Sequence, residues 1–331
     1  MKRRAFLVAA IAASGSFATG AGAQETGKPK RVGWIGIGAA PNEPDAWMGE
    51  AFVARLRELG WVEGRTIEFL RRRPGAQADE TRVEGVAREL VRQKVDLIFA
   101  PFGAQAVVAH KVSGSIPLVF AVTSDPVRNG LTTSLARPDR NATGTSTLFA
   151  DLWGPRIQQL SEVVPKPRKI AVLLNPDVAW QIRDFERIRE ACAKLGLAAI
   201  HIAVRRREDF DTAIERSVRE GADALTHMPD GLFQLNRRAL VQMVAHTRLA
   251  ATYSGVEYVA DGGLMTYAID LRDIMRKAAD YVDRILRGAR ASDLPIERPA
   301  RVYLVLNQKT AKAQGITFPQ SLLLRADRVI E

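Results

Sequence analysis

The sequence predicts an α/β protein with two doubly wound, Rossmann-like lobes joined by a hinge of three chain crossings. Three observations support this class: short apolar runs alternate with segments of helical spacing, the alternation starts again at Lys169, and the chain has 331 residues, 47% of them hydrophobic. Parallel strands need helical crossovers between them. Because a single core stops growing at about 250 to 300 residues, a chain of this length and composition predicts two cores.

The first half of the chain alternates strands and helices. We predict strands at 32–37, 66–70, 95–100 and 117–122, with helices around 47–59, 83–91 and 104–111. Val83, Ala87 and Leu90, for example, fall at i, i+4 and i+7, which places them on one face of a helix. Strands that are apolar throughout are typical of a parallel sheet covered on both faces.

The second half repeats this order. We predict strands at 170–174, 198–204, 222–226, 249–253 and 264–267, with helices around 184–195, 210–218 and 235–248. A long amphipathic helix then runs from Leu271 to Ile285, and a last strand at 302–306 precedes a short helix from Gln308. Local similarity accompanies the shared order, since "ELGWVEG" at Glu58 resembles "KLGLAAI" at Lys194.

The lobe boundaries follow from where the chain crosses between the two patterns. We expect crossings near 143–147, 266–269 and 295–300, and crossings of this kind act as hinges. The expected division is 28–145 plus about 266–297 for lobe 1, and 146–265 plus about 298–331 for lobe 2.

Residues 1–23 have the layout of a cleavable signal peptide. Lys2, Arg3 and Arg4 precede an apolar stretch, and the small residues Ala21-Gly22-Ala23 follow it, which predicts cleavage near Ala23. The stretch is shorter than the roughly 20 residues of a membrane-spanning helix. The arginine pair followed by Phe6 and Leu7 resembles a twin-arginine signal, and an ordinary basic start fits equally well. No cysteine stands directly after the cleavage site, where a lipid anchor would be attached, so we expect a periplasmic protein without a membrane anchor.

Charge and cysteine content limit the covalent links and the partners that we expect for this chain. Cys192 is the single cysteine, so no disulfide can form within the chain. The formal charge is +11, and removal of Lys2, Arg3 and Arg4 leaves about +8. The arginine clusters at 71–73 and 205–207 lack interleaved aromatic residues, which favours a solvated surface over a nucleic-acid interface. We expect a monomer with no nucleic-acid partner.

Catalytic motifs are incomplete. Gly36-Ile37-Gly38 begins a dinucleotide fingerprint, but Pro41 stands where the third glycine belongs. The arginines at 71–73 could hold a 2′-phosphate, so an NADP-binding enzyme stays an alternative. No G-x-S-x-G elbow occurs, and the four histidines form no metal-binding spacing. We therefore expect no catalytic residue, no metal and no cofactor.

The loops that follow the strands offer binding chemistry. In open α/β sheets, ligands bind beyond the carboxyl ends of the strands, where helix N-termini present free N–H groups. In lobe 1 the candidates are Ala40, Phe102, Gly103, Ala104, Thr123, Ser124, Asp125 and Ser146. In lobe 2 they are Asn175, Asp230, Phe233, Tyr253 and Glu257. For Asp125 the alternative is a turn cap, for Asn175 a turn before Pro176, and for Phe233 and Tyr253 packing beneath their own loops.

Six segments carry a resemblance to a known family. They are "RELGWVEGRTIEF", "LVRQKVDLIFA", "IPLVFAVTSDPVRNGLTTSLARPDRNATG", "IAVLLNPD", "GGLMTYAIDLRDIMRKAADYVDRILRGARASDLPIERP" and "LVLNQKTAKAQGITFPQSLLLRADRVIE". From about Lys30 to the C-terminus the chain resembles the ABC transporter substrate-binding family that includes tryptophan-type uptake receptors. The resemblance implies a type I periplasmic-binding-protein fold, a small-molecule solute and an ABC permease at the inner membrane as partner.

Two departures from that family fall in the expected pocket. Pro101, Phe102 and Gly103 stand where relatives often carry Gly-Thr-Pro, and Ser124 stands where they often have glycine before Asp-Pro. An aromatic amino-acid ligand is therefore not carried over directly. A periplasmic sensor that reports solute to a receptor kinase would look the same in sequence, whereas a sugar-responsive repressor of this fold needs a DNA-binding helix-turn-helix where this chain has a signal peptide.

Overall fold

The computed structural model describes residues 28–36, 46–74, 79–147 and 149–331, which form two sheets. The first sheet is entirely parallel, with the strand order β2-β1-β3-β4-β5. Its elements are β1 (Lys30–Ile35), α1 (Ala46–Glu58), β2 (Ile67–Arg72), α2 (Glu80–Arg92), β3 (Leu97–Phe99), α3 (Gly103–Val112), β4 (Leu118–Thr123) and β5 (Ala142–Ser146). This strand order reverses between β1 and β3, as in a doubly wound fold.

The second sheet has the order β12-β11-β10-β9-β8-β6-β7. The elements up to its fifth strand are α4 (Trp153–Val163), β6 (Lys169–Leu174), α5 (Ala179–Lys194), β7 (Ala198–Ala203), α6 (Phe210–Arg219), β8 (Ala224–His227), α7 (Gly231–Leu235), α8 (Arg237–Ala245), β9 (Ala250–Tyr253), α9 (Val256–Ala260) and β10 (Met265–Ala268). After them come α10 (Leu271–Leu286), β11 (Tyr303–Asn307), α11 (Gln308–Gln314), α12 (Gln320–Arg325) and β12 (Arg328–Ile330). β11 runs antiparallel to β10, and the other pairs are parallel.

Helices cover both faces of the first sheet. α1 and α10 bury one face in a core that contains Phe52, Phe99 and Tyr281. α2 and α3 bury the other face around Leu90 and Phe120. The two-layered burial explains why the strands read as continuous apolar runs.

α10 follows a strand of the second sheet but packs on lobe 1. Its Asp280 carboxylate accepts a hydrogen bond from Arg55 Nε of α1 at 2.7 Å, and its Asp283 carboxylate accepts one from Trp61 Nε1 at 2.8 Å. Lobe 1 is therefore built from two separate stretches of the chain.

The chain passes between the two sheets three times. It leaves the first sheet after Ser146, leaves the second after Ala268 and returns to it before Tyr303. Thr145 pairs with Glu297 where two passages run side by side. The second passage was expected near 266–269, and the pairing of Thr266 with Tyr253 and Val305 shows that Thr266 still belongs to the second sheet.

β5 was not predicted as a strand because its sequence, ATGTS, lacks bulky apolar residues. Gly144 at its centre has φ of +150° and lies against β4, where an added Cβ would come within 1.9 Å of the Phe120 carbonyl oxygen. Only glycine permits this close approach of two backbones.

Other differences concern helices. α4 and α9 were not predicted, and α5 begins at Ala179 rather than near 184. The helix expected at 235–248 is observed as α8 at 237–245, and the unpredicted α7 precedes it. Between the two helices Asn236 leaves helical geometry, and its side-chain amide donates to the Leu232 carbonyl at 2.8 Å. Within the described residues, no helix is both long enough and apolar enough to cross a membrane.

Candidate ligand site between the lobes

The carboxyl ends of β4 and β6 meet across a polar pocket. The loop after β4 supplies Ser124 and Asp125, and α5, which follows β6, supplies Trp180. Ser146, the last residue of β5, lines the lobe 1 side of the same pocket. The strand ends of the two lobes therefore face each other, as the sequence analysis expected for a ligand cleft.

In lobe 1, α3 begins directly beside the end of β4. Phe102 is its N-cap residue and provides no side-chain hydrogen bond, so the first N–H groups of the helix have no side-chain cap. A Cβ at Gly103 would lie 3.1 Å from the Thr123 hydroxyl, so glycine allows the helix start and the strand end to come together. Ala104 in the same turn is exposed. An uncapped helix N-terminus attracts an anionic group.

Two buried threonine hydroxyls lie at this end of the first sheet. Thr123 Oγ1 and Thr147 Oγ1 have no hydrogen-bond partner among the described residues. The two residues are neighbours, because the Thr147 N–H donates to the Thr123 carbonyl at 2.9 Å. Since buried hydroxyls are normally paired, these two groups are candidates for contact with a ligand.

The loop after β4 is held by local hydrogen bonds. The Asp125 carboxylate accepts the Arg128 N–H at 2.9 Å, which is the turn-capping role considered from sequence. The Ser146 hydroxyl donates to the Ser124 carbonyl at 3.1 Å and ties β5 to this loop. Both serines remain in the pocket wall.

In lobe 2, Gln181 joins two strand ends. Its amide oxygen accepts the Asn175 N–H at 2.7 Å, and its amide nitrogen donates to Asp230. The other Asp230 oxygen caps α7 by accepting the Leu232 N–H at 2.7 Å. Burial raises the pKa of the Asp230 carboxyl. Each oxygen of this carboxylate has a second acceptor site, so Asp230 can still receive a hydrogen bond from a ligand.

Asn175 shapes the turn in which it lies. Its side-chain oxygen accepts the Asp177 N–H at 3.1 Å, as expected for an asparagine before Pro176. Asp177 itself is exposed and forms an ion pair with Arg205 at 3.0 Å. Asn175 and Asp177 therefore stabilise the loop that follows β6.

Phe233 and Tyr253 lie in the core of lobe 2. They are 0% and 1% exposed, and both rings lie beside His227, with centroids at 5.0 Å and 5.9 Å. Tyr253 also stacks on Tyr258 at 5.4 Å. The rings pack beneath their own loops, which was the alternative to ligand contact, and we leave them out of the proposed site.

His227 is the centre of this cluster and is fully buried. Nδ1 donates to the Met228 carbonyl at 2.9 Å, and Nε2 accepts the Ser254 N–H at 3.3 Å, a pattern that needs the neutral ring. Burial lowers the pKa of His227 to about 3. This histidine organises the end of β8 and has no metal-binding neighbours, since no group of three potential metal ligands occurs in the described part of the chain.

Glu257 is buried at the start of α9. Its side chain folds back over Gly255, where an added Cβ would lie 2.3 Å from the carboxylate. Neither carboxylate oxygen has a well-formed hydrogen bond within the described residues. Burial raises the pKa of Glu257, and the nearby Gln234 amide and Arg237 lower it to a smaller extent.

Residues 37–45, Ala40 among them, lie outside the described residues. Gln181, Trp180 and Thr147 were missed by the sequence analysis, because nothing in their local sequence distinguishes them from ordinary helix or strand-end residues. The arginines considered for a 2′-phosphate are partly engaged: Arg71 pairs with Glu63 and Arg72 with Glu89. This pairing weakens the case for an NADP-binding enzyme.

Comparison with known proteins identifies the family. Residues 50–330 match the sequence model described as ABC transporter substrate binding protein. A tyrosine-binding protein of Clostridioides difficile (strain R20291) is 24% identical over 287 residues, which cover 86% of this chain and 81% of that protein.

Two solved structures show the same fold. A conserved domain protein of Vibrio cholerae O1 biovar El Tor str. N16961 superposes with a TM-score of 0.80 at 23% identity, covering 91% of this chain and all of the other. An ABC domain from Streptococcus pneumoniae in complex with L-Trp superposes with a TM-score of 0.78 at 21% identity, covering 92% of this chain and 100% of the other. The two-lobed α/β fold predicted from sequence, that of type I periplasmic binding proteins, is confirmed. On the family match, the chain belongs to the ABC transporter substrate-binding protein family.

Proposed function

We propose that this protein is an exported, periplasmic receptor of an ABC importer, which closes its lobes on a small amino-acid-like solute and delivers it to a permease. Family membership and relatives named for tyrosine and tryptophan support the proposal. No bond is made or broken in this process, and closure supplies the affinity by removing the solute from water.

The observation that carries the solute class is a pair of complementary groups on opposite lobes. On lobe 1, the uncapped N-terminus of α3 beside Gly103 and the Thr123 hydroxyl suit a carboxylate. On lobe 2, the Asp230 carboxylate, fixed by Gln181 and the Leu232 N–H, suits an ammonium group. An α-amino acid carries both groups on one carbon.

A ligand screen tests this proposal. Thermal unfolding is measured with amino acids, aromatic acids, nucleobases, sugars and NADP, each at a fixed excess. A ligand at about 100 times its dissociation constant adds about 2.7 kcal/mol of stability. We expect a free amino acid to stabilise the protein, and its N-acetyl and amide derivatives to fail. Stabilisation by NADP alone, or by a sugar alone, would contradict the proposal.

Asp230→Asn tests the ammonium contact. Asparagine keeps the oxygen that caps α7, but it removes the charge and turns an amide nitrogen toward the Gln181 amide donor, so we expect the affinity to fall about tenfold or more and the free energy of unfolding to fall by about 1 to 3 kcal/mol. Asp177→Asn is the matched control, because Asp177 is exposed and pairs with Arg205. Affinity in the wild type should also fall on acidification as Asp230 protonates, and Asp230→Asn should lose this pH dependence. Equal affinities of both variants and the wild type would move the site away from Asp230.

A further inference from the structure

A buried arginine lies where the two lobes join, and the solute contacts described above do not use it. Arg156 belongs to the first turn of α4, the helix that follows the first passage between the lobes, and its side chain is 0% exposed. Arginine is almost never fully buried unless its charge is paired. A guanidinium in this position therefore needs a partner that accounts for its charge.

The charge of Arg156 has no acidic partner among the residues that the structure describes. Nε and Nη2 both donate to one uncharged acceptor, the Tyr267 carbonyl, at 3.2 Å and 3.0 Å. The guanidinium carbon lies 4.6 Å from the centre of the Trp153 ring. Nη1 is buried and makes no hydrogen bond within the described part of the chain. Burial lowers the pKa of Arg156 to about 10, so the group stays protonated at neutral pH.

A second buried arginine of lobe 2 shows the usual arrangement. Arg237 is 6% exposed, and its Nε donates to the Asp261 carboxylate at 2.7 Å. In a buried ion pair of this kind, the attraction between the two charges offsets the cost of removing them from water. Arg156 is buried more deeply than Arg237 and lacks such an acid, so its charge is available to a group that enters from outside.

The guanidinium of Arg156 lies at the edge of the second sheet that faces lobe 1. Its acceptor, Tyr267, is the last residue but one of β10, and the Tyr267 side chain packs against the cores of both lobes. Burial lowers the pKa of His227, the last residue of β8, and the positive charge of Arg156 lowers it further. Arg156 is therefore close both to the second passage between the lobes and to the strand end that leads to Asp230.

The contacts proposed for a carboxylate on lobe 1 carry no full charge, because they are the N–H groups at the start of α3 and the Thr123 hydroxyl. Away from water, the attraction between full charges acts over several ångströms and is several times stronger than in water. We propose that Arg156 supplies the charge that makes the cleft between the lobes selective for an anionic group, and that it draws the carboxylate of the solute to the hinge side.

In this role Arg156 is a positioning residue, since its charge acts on the solute without a hydrogen bond to it. The assignment of the anionic group to a solute carboxylate rests on the proposed function. The preference of the cleft for an anion over an uncharged molecule of the same shape does not, so it can be tested separately.

Thermal unfolding with sodium acetate and with acetamide tests the charge, because these molecules are similar in shape and differ in charge. Ionic strength is held constant with sodium chloride. We expect acetate to raise the melting temperature of the wild type saturably, by about 2 °C or more at about ten times its dissociation constant, and acetamide to leave it unchanged.

Two variants separate the charge of Arg156 from its packing. Arg156→Met keeps an unbranched side chain without the charge and should lose the acetate response. Arg156→Lys keeps the charge but loses the two hydrogen bonds from Nε and Nη2 to Tyr267, and it should retain most of the response. A role confined to packing or to holding Tyr267 would not distinguish acetate from acetamide.

Arg248→Met is the matched control, because Arg248 is exposed and precedes β9, at the opposite edge of the second sheet. It removes the same charge and should respond to acetate as the wild type does. The proposal would be overturned by a wild type without a saturable acetate response, by equal responses of the wild type and Arg156→Met, or by a loss in Arg156→Lys as complete as in Arg156→Met. If Arg156→Met does not fold, the wild type and Arg156→Lys decide.

Asp230→Asn distinguishes this inference from the proposed function. Acetate has no ammonium group, so Asp230→Asn should respond to it as the wild type does. A protein that responds to acetate through Arg156 but is stabilised by no amino acid would support the anion selectivity and contradict the proposed function.

Discussion

The two lobes differ in the chemistry that they place at the carboxyl ends of their strands. Lobe 1 offers backbone N–H groups and hydroxyls around Gly103 and Thr123, in positions that depend on close backbone packing. Lobe 2 buries ionisable groups there, among them His227, Asp230 and Glu257, whose pKa values burial shifts toward the neutral forms. We infer that lobe 1 is sensitive to volume and lobe 2 to pH.

The largest expected effect is on the packing of lobe 1. Gly144→Ala would place a Cβ 1.9 Å from the Phe120 carbonyl oxygen, a backbone atom that cannot move aside, at a φ of +150°. We expect the free energy of unfolding to fall by about 3 kcal/mol or more, measured by urea denaturation.

Alanine substitutions at two further glycines give unfolding free energies with which that of Gly144→Ala can be compared. At Gly255 in lobe 2 the obstacle is the Glu257 carboxylate, the end of a flexible side chain, so Gly255→Ala should cost less, about 1 to 2 kcal/mol. Gly85 lies inside α2 with nothing within 4 Å, and Gly85→Ala should stabilise the protein by roughly 0.5 to 1 kcal/mol. If Gly255→Ala were as damaging as Gly144→Ala, the distinction between backbone and side-chain obstacles would fail.

The next effect is the acid sensitivity of lobe 2. The pKa of His227 is about 3 in the folded protein against 6.5 for the unperturbed group, so the unfolded chain binds the proton first. Stability from this residue is complete above pH 6.5 and falls by about 1.4 kcal/mol for each pH unit below it, or about 2 kcal/mol at pH 5. Asp230 and Glu257 have raised pKa values and give the opposite slope.

His227→Gln separates these contributions. The difference in unfolding free energy between variant and wild type should shrink as the pH falls from 7.5 to 5, because the variant lacks the titrating ring. Replacement of the exposed His246 by glutamine should leave the slope as it is. A constant difference between His227→Gln and wild type over this range would mean that the pKa of His227 is the same in the folded and the unfolded protein.

The smallest effect concerns two threonines of lobe 1 that share a buried setting. Thr123→Val removes a hydroxyl that has no hydrogen-bond partner among the residues the structure describes, so stability should stay unchanged or rise by up to about 1 kcal/mol, while solute affinity falls roughly three- to tenfold. Thr143→Val removes a hydroxyl that donates to the Leu294 carbonyl at 2.7 Å, and it should lower stability by about 1 kcal/mol with unchanged affinity. Calorimetry measures the solute affinity of both variants, and thermal melts measure their stability. Weaker solute binding by Thr143→Val than by Thr123→Val would contradict the prediction.

Local sequence was sufficient for the order of elements. Apolar runs such as that of β6 and helical spacing such as that of α2 indicate burial directly, because apolar residues occupy the positions that face the core. β5 was not predicted, because it forms a strand through the close approach of Gly144 to the neighbouring strand β4. The contact residue, Phe120, lies more than 20 residues away in the sequence, so local sequence does not indicate the strand.

Prediction of the site was limited for a similar reason. Strand order indicates which loops face the cleft, and Ser124, Asp125 and Ser146, which were proposed on that ground, lie together in one pocket. It does not show on which side of a loop a ring points, so Phe233 and Tyr253 were proposed for the cleft although they fill the core. The role of Gln181 depends on residues of other segments, because its side chain contacts Asn175 and Asp230.

The position of α10 has a consequence for the order of folding. Together with α1, this helix closes one face of the first sheet, and its Asp280 and Asp283 bind Arg55 and Trp61, more than 200 residues earlier in the chain. During synthesis the core that contains Phe52 and Phe99 therefore stays incomplete until most of lobe 2 has been made. Contacts of such sequence separation form late and slow a folding reaction. The lobe that starts the chain is thus among the last parts of the molecule to be completed.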